Sequence, residues 1–174
     1  MIIRSHTKGD APSTAVYSPC ERFRYSLTRV WHPESRRVAF IMLNPSTATE
    51  IQNDPTIERC EQRARRLGYG GFEAVNIFAL RATNPRDMRA ATDPEGRDNR
   101  RYLVQAATRA DTVIAAWGVH GAHRDHGPRM AAWLHGHGHL LHHLGLTKHG
   151  HPRHPLYLPY SAQPVRWTDP LQIT

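Results

Sequence analysis

Apolar and polar residues change their spacing repeatedly along this chain, and each change predicts an element. Over residues 23–31 they alternate, which is the period of a half-buried strand. A His-Pro-Glu-Ser turn follows, and residues 38–43 form an unbroken apolar run, as in a strand covered on both faces. Asp54-Pro55 places a carboxylate cap ahead of a proline at the first helical position. Ile57, Cys60, Ala64 and Leu67 then share one helical face before Gly68 ends it. Residues 72–78 predict the next strand, and Asp93-Pro94-Glu95-Gly96 leads into a second helix with Leu103, Ala106, Ala107 and Ala110 facing inward. A short buried strand over 112–117 ends at Gly118, a helix covers 128–135, and a last strand covers 139–144 before the loop 145–159. Residues 1–20, rich in Ser, Thr, Pro and Ala, predict an irregular N-terminal arm.

Strand–helix alternation of this kind predicts a single α/β domain over 1–174, a three-layer α/β/α arrangement with a central, mainly parallel sheet and helices on both faces. Sites in such sheets collect beyond the carboxyl ends of the strands. Four segments fall there: 44–47, 76–81, 117–120 and the loop around His151 and His154.

Composition narrows the classes. Among 174 residues, 23 Lys and Arg against 15 Asp and Glu give a net charge of +8, which favours a polyanionic partner, nucleic acid first. No apolar run approaches the roughly 20 residues that span a bilayer, and the opening residues lack the apolar core of a signal peptide, so no membrane association is expected. Cys20 and Cys60 suit a reducing cytoplasm and cannot supply the four thiolates of an iron–sulfur cluster. Eleven of the 13 histidines lie between His120 and His154. They include no His-Glu-x-x-His, and no cysteine pair has zinc spacing, so neither a metal nor another cofactor is expected.

The candidate chemistry sits in the strand-end segments. Asn44 follows the buried strand and is held by Pro45, with Ser46 and Thr47 next. Asn76 stands in an otherwise apolar strand; a buried amide needs partners, from backbone or from the edge of a nucleobase. Arg81, Thr83 and Asn84 follow as phosphate contacts. Trp117-Gly118 reads as a core tryptophan beside a turn glycine or as a base-stacking platform. The segment from Lys148 through His151, Arg153 and His154 to Tyr157 carries two His-Pro pairs around an arginine, a stiff backbone presenting imidazole and guanidinium groups.

Over nearly its whole length the chain is identified as a member of domain-of-unknown-function family 1643. The stretches are Arg22-Phe23-Arg24-Tyr25, Leu43-Asn44-Pro45-Ser46-Thr47-Ala48, Asn53-Asp54-Pro55-Thr56-Ile57, residues 76–83, Ala116-Trp117-Gly118 and residues 150–157. More distantly, the order of motifs resembles the uracil-DNA glycosylase superfamily. Leu43-Asn44-Pro45-Ser46 is similar to its first motif, Asn76 to its base-reading Asn, Trp117-Gly118 to its later strand end and His154-Pro155 to its closing loop. Met42 stands where the first motif opens on Gly, and Leu156-Tyr157 replaces the usual Ser-Pro.

The resemblance implies a monomeric DNA glycosylase-like hydrolase of base excision. It would cleave the N-glycosidic bond of a flipped damaged, modified or mismatched base in single- or double-stranded DNA. Asn44 would position water, His154 or His151 would donate to the departing base, and Asn76 would read the base. Arg153, Lys148 and Ser46 would hold phosphates. Two other readings stand beside it: a nucleotide or nucleic-acid binding module that cleaves nothing, and a His-dependent metal hydrolase.

Overall fold

The chain opens with a hairpin, β1 (Ile2–Lys8) and β2 (Ala11–Tyr17), paired antiparallel around Gly9 at φ 62°. This corrects the expected irregular arm. The alternation is carried by small side chains: Ala11, Ser13, Ala15 and Tyr17 are buried while Pro12 is exposed. Next come β3 (Arg24–Val30), β4 (Arg37–Met42), α1 (Pro55–Arg66) and β5 (Gly71–Asn76). Then follow α2 (Pro85–Ala90), α3 (Asn99–Arg109), β6 (Thr112–Ala115), α4 (His126–Gly136), β7 (Leu141–His143) and β8 (Val165–Arg166). The computed structural model describes residues 1–168.

Helix α2 and strand β8 are additions to the sequence reading. Asn84-Pro85 repeats the cap logic of Asp54-Pro55: the Asn84 side chain accepts from the Arg86 N–H at 2.9 Å, so this amide starts a helix. β8 has only two residues and both are exposed, so it carries no hydrophobic period.

The strands form one eight-stranded sheet in the order β1-β2-β3-β5-β4-β6-β7-β8. Four of its pairings are antiparallel and three are parallel, so the sheet of this α/β fold is mixed rather than mainly parallel. The parallel pairings join β5, β4, β6 and β7 at the centre. Short connections let β1 and β2 extend one edge antiparallel, while β8 joins the other edge only after the long closing loop that follows β7.

Alternate residues of the central strands feed two cores. Ala39, Ile41, Val75, Val113 and Ala115 pack with Leu103 and Ala106 of α3 and with Met130, Ala131 and Leu134 of α4. Val38, Phe40, Met42, Ala74 and Ile114 pack instead with Ile57, Cys60 and Ala64 of α1. Among the described residues no helix is long and apolar enough to cross a membrane.

Strand β3 departs from its predicted half-buried pattern because polar side chains are buried along it. Arg24, Ser26 and Arg29 are all buried. Arg29 donates through Nε and Nη2 to Asn53 Oδ1 at 3.1 and 2.9 Å, through Nη2 to the Thr49 carbonyl at 2.7 Å, and through Nη1 to Ser13 Oγ. Asn53 passes the contact on to Glu58 and Glu61 at 2.7 and 2.8 Å. The irregular segment between β4 and α1 is thus tied down by a side chain from β3. Arg29→Met is expected to lower the unfolding free energy by about 3–5 kcal/mol in urea denaturation, because it strands the acceptors on Ser13, Thr49 and Asn53, while Glu61 keeps Lys8 and Arg65. A loss below about 1 kcal/mol would mean that the segment holds itself.

Candidate functional site

The carboxyl ends of β4 and β6, with Ala82 and Thr83 from the segment beyond β5, open onto a cavity of about 580 Å³. The two neighbouring strand ends stay in register past the sheet. The N–H groups of Ile77, Phe78 and Ala82 donate to the carbonyls of Met42, Leu43 and Pro45 at 2.9 Å each. The backbone beyond β5 is braced again from behind. Asn99 of α3, fully buried, donates to the Asn76 and Ile77 carbonyls at 2.8 and 3.2 Å, and His126 Nε2 lies 2.8 Å from the Ile77 carbonyl.

Asn44 lines the cavity. Its Nδ2 donates to the carbonyls of Pro45 and Ala82 at 3.0 and 2.8 Å, so the amide is fixed and its Oδ1 is the group left to accept. His154 lines the same cavity from the closing loop, which is tied to β6 by the Gly118 N–H donating to the Pro152 carbonyl at 2.8 Å. Gly118 has φ 70°, and a Cβ there would stand 3.5 Å from the His154 Cβ, so the turn needs glycine for its backbone. The Leu156 N–H donates to His154 Nδ1 at 3.3 Å, which leaves the proton of the neutral ring on Nε2. Burial pushes this imidazole down to about 4, against the opposing pull of Asp54. At neutral pH His154 is therefore an uncharged donor.

Behind these two residues lies a smaller chamber of about 40 Å³, lined by Arg24, Asp54 and Asn76 together with Asn44 and His154. Asn76 is 1% exposed and its Oδ1 has no partner among the described residues. Asp54 accepts from the Ile57 N–H at 2.8 Å and the Ala48 N–H at 3.2 Å, capping α1. Arg24 donates through Nη1 to the Ala48 carbonyl at 2.6 Å. Burial lowers its guanidinium to about 10, so it remains a cation at neutral pH.

The other sequence candidates divide. Ser46 borders the cavity and the chamber, and Pro45 lines the chamber. Arg153 and Tyr157 stand exposed on the cavity wall, with the Tyr157 ring 6.1 Å from that of His154. Trp117 touches the cavity but is 1% exposed and packs on Trp167 at 5.8 Å, which makes it a core residue rather than a stacking platform. Thr47 and Arg81 lie in an adjoining open groove of about 870 Å³, which shares Ser46, Ala82 and Thr83 with the cavity and where Glu21 and Asp87 offset Arg22 and Arg81. Arg81 is a strut there, donating to the Glu21 carbonyl at 3.2 Å beside the Tyr17 ring.

Lys148 is exposed and lines none of the described cavities. His151 is buried outside them, its backbone closing a turn with Thr147, so the geometry separates it from His154. Among the described residues no three His, Cys, Asp or Glu side chains gather as a metal site. Arg24 went unsingled in the sequence because an arginine in an alternating strand reads as solvent-facing. Asp54 was visible only as a helix cap.

Strands, loops and cavity together define an α/β protein with a polar cavity at its parallel strand ends. The chain belongs to the family described as Protein of unknown function (DUF1643), whose model matches residues 24–156. No curated protein and no solved structure matches it.

An NMR titration is expected to find the His154 imidazole neutral down to about pH 4. The unfolded chain takes up this proton below about pH 6.5. Stability contributed by the neutral buried ring is therefore present above that value and is lost as pH falls through about 4. A midpoint near 6.5 in the folded protein would refute the buried, neutral imidazole.

Proposed function

We propose that this protein is a DNA glycosylase-like enzyme that hydrolyses the bond between a flipped nucleobase and its sugar, on an arrangement akin to the uracil-DNA glycosylase superfamily. The observation that carries the reading is the orphaned, buried amide of Asn76, set beside the free Oδ1 of Asn44 and the Nε2–H of His154. An unpartnered buried amide costs about 1–3 kcal/mol, and a base edge that donates and accepts would recover it. The four central parallel strands with helices on both faces support the kinship, as does a cavity large enough for a nucleotide.

In this mechanism Asn44 Oδ1 accepts from a water and aims it at the anomeric carbon. The C1′–N bond breaks with its electron pair leaving on the base, and the water oxygen bonds to C1′. The water's proton passes through solvent to the base. His154 donates from Nε2 to a base oxygen as negative charge builds there, acting as a neutral hydrogen-bond donor rather than as a cation. Asn76 reads the pairing edge. Arg153 at the rim holds a phosphate, with Lys148 further out on the same loop, in keeping with the net charge of +8. Which base is taken would be read from an oligonucleotide panel.

A binding module is the second reading, favoured by one observation: residue 44 is an amide and cannot take a proton from water as a carboxylate would. Oligonucleotides carrying uracil, hydroxymethyluracil, hypoxanthine or modified cytosines, treated with alkali after incubation, separate the two. Strand cleavage at one of them is expected, with Asn44→Ala and His154→Ala each reducing it at least about a hundredfold. Full activity in both variants would overturn the assigned roles. Salt-sensitive binding without cleavage would establish the module.

A further inference from the structure

Arg24 has a supply of donors that the fold does not use. The side chain is 2% exposed, and among the described residues its Nη1 serves one carbonyl, its Nε has no partner and it forms no ion pair. A guanidinium carries five N–H donors in a planar fork. Asp54, the one carboxylate on the chamber wall, is the chief opposite charge acting on Arg24, but its oxygens accept from the Ile57 and Ala48 N–H groups and it forms no ion pair with the guanidinium. Asn76, whose Oδ1 is buried without a partner among the described residues, lines the same chamber. Two side chains thus lie almost wholly buried against a space of about 40 Å³ with unspent polar atoms, room for about three waters or a group of three heavy atoms.

A buried cation with free donors selects an acceptor-only group. An amino substituent would set donor against donor, and a methyl would leave the guanidinium unsolvated. A carboxylate answers both the charge and the fork, since its two oxygens match two parallel N–H groups.

We propose that the chamber is a subsite for a small carboxylate borne by the ligand's ring, gripped by Arg24 while Asn76 meets the adjoining ring edge. As a statement of substrate class this rests on the base-binding reading; as an anion site it does not.

The test is calorimetric titration of the wild-type protein with carboxyuracil, formyluracil, thymine and uracil as free bases, with formate alone as a further probe followed by melting temperature. Carboxyuracil is expected to bind at least about tenfold more tightly than thymine, and formate is expected to raise the melting temperature. Both effects should fall at least about tenfold in Arg24→Gln, and the bidentate preference should also weaken in Arg24→Lys, which keeps the charge but loses the fork. Circular dichroism checks that the variants fold, and the ligand series on the wild type stands without them.

If thymine and uracil bind as tightly as carboxyuracil, the carboxylate subsite is overturned and the base reading survives. If no base binds but formate stabilises only proteins that retain Arg24, the base reading fails and the anion site stands. If neither binds, both are wrong.

Discussion

Two guanidinium groups on one strand hold the backbone that makes this site. Arg24 and Arg29 of β3 reach across to the segment between β4 and α1, which has no strand or helix of its own to satisfy its carbonyls. Arg24 takes the Ala48 carbonyl, and Arg29 takes those of Thr49 and Gln52. The Ala48 carbonyl lies in a buried place, where leaving it bare would cost about 1–3 kcal/mol, so the segment depends on these side chains to stay down. Asn44 stands at the start of that segment and Asp54 at its end. The cap of α1, the wall of the chamber and the aim of the Asn44 amide therefore share one support.

The site follows from how strands end. Parallel β4, β5 and β6 finish on the same side, and each delivers a different chemistry there: an amide acceptor at Asn44, a buried amide at Asn76, and the turn at Gly118 that receives the closing loop. The loop then lays His154 over the cavity with its Nδ1 already occupied. Burial keeps this ring neutral while Arg24, more deeply buried, stays charged, because a guanidinium starts so far above neutrality that even a large drop leaves it protonated. One burial penalty yields a neutral donor and a fixed cation side by side.

Much of this was legible along the chain. The apolar run at 38–43, the cap at Asp54, the turn at Asp93-Pro94 and the short run at 112–117 all announce elements through local spacing and turn chemistry. Asn44, Asn76 and His154 were visible as polar residues placed where a strand ends or turns. The hairpin of β1 and β2 is hidden in the sequence because β1 is exposed over residues 3–7 and the buried positions of β2 are mostly small, Ala and Ser, which mark a strand period only weakly. Lys148, Arg81 and His151 were placed near the site by chain proximity. Each instead faces solvent, a groove or the interior of a turn, and a one-dimensional pattern cannot carry such directions.

By itself the sequence determined the alternation of strands and helices and the polar residues at their ends, since period, caps and turns act over a few neighbouring residues. Only the tertiary structure decided the mixed sheet, the separation of His154 from His151 and the meeting of Arg24 with Asp54 and Asn76. A buried charge is stable only through partners that the fold brings from far along the chain. No local pattern marks an arginine as one that will have them.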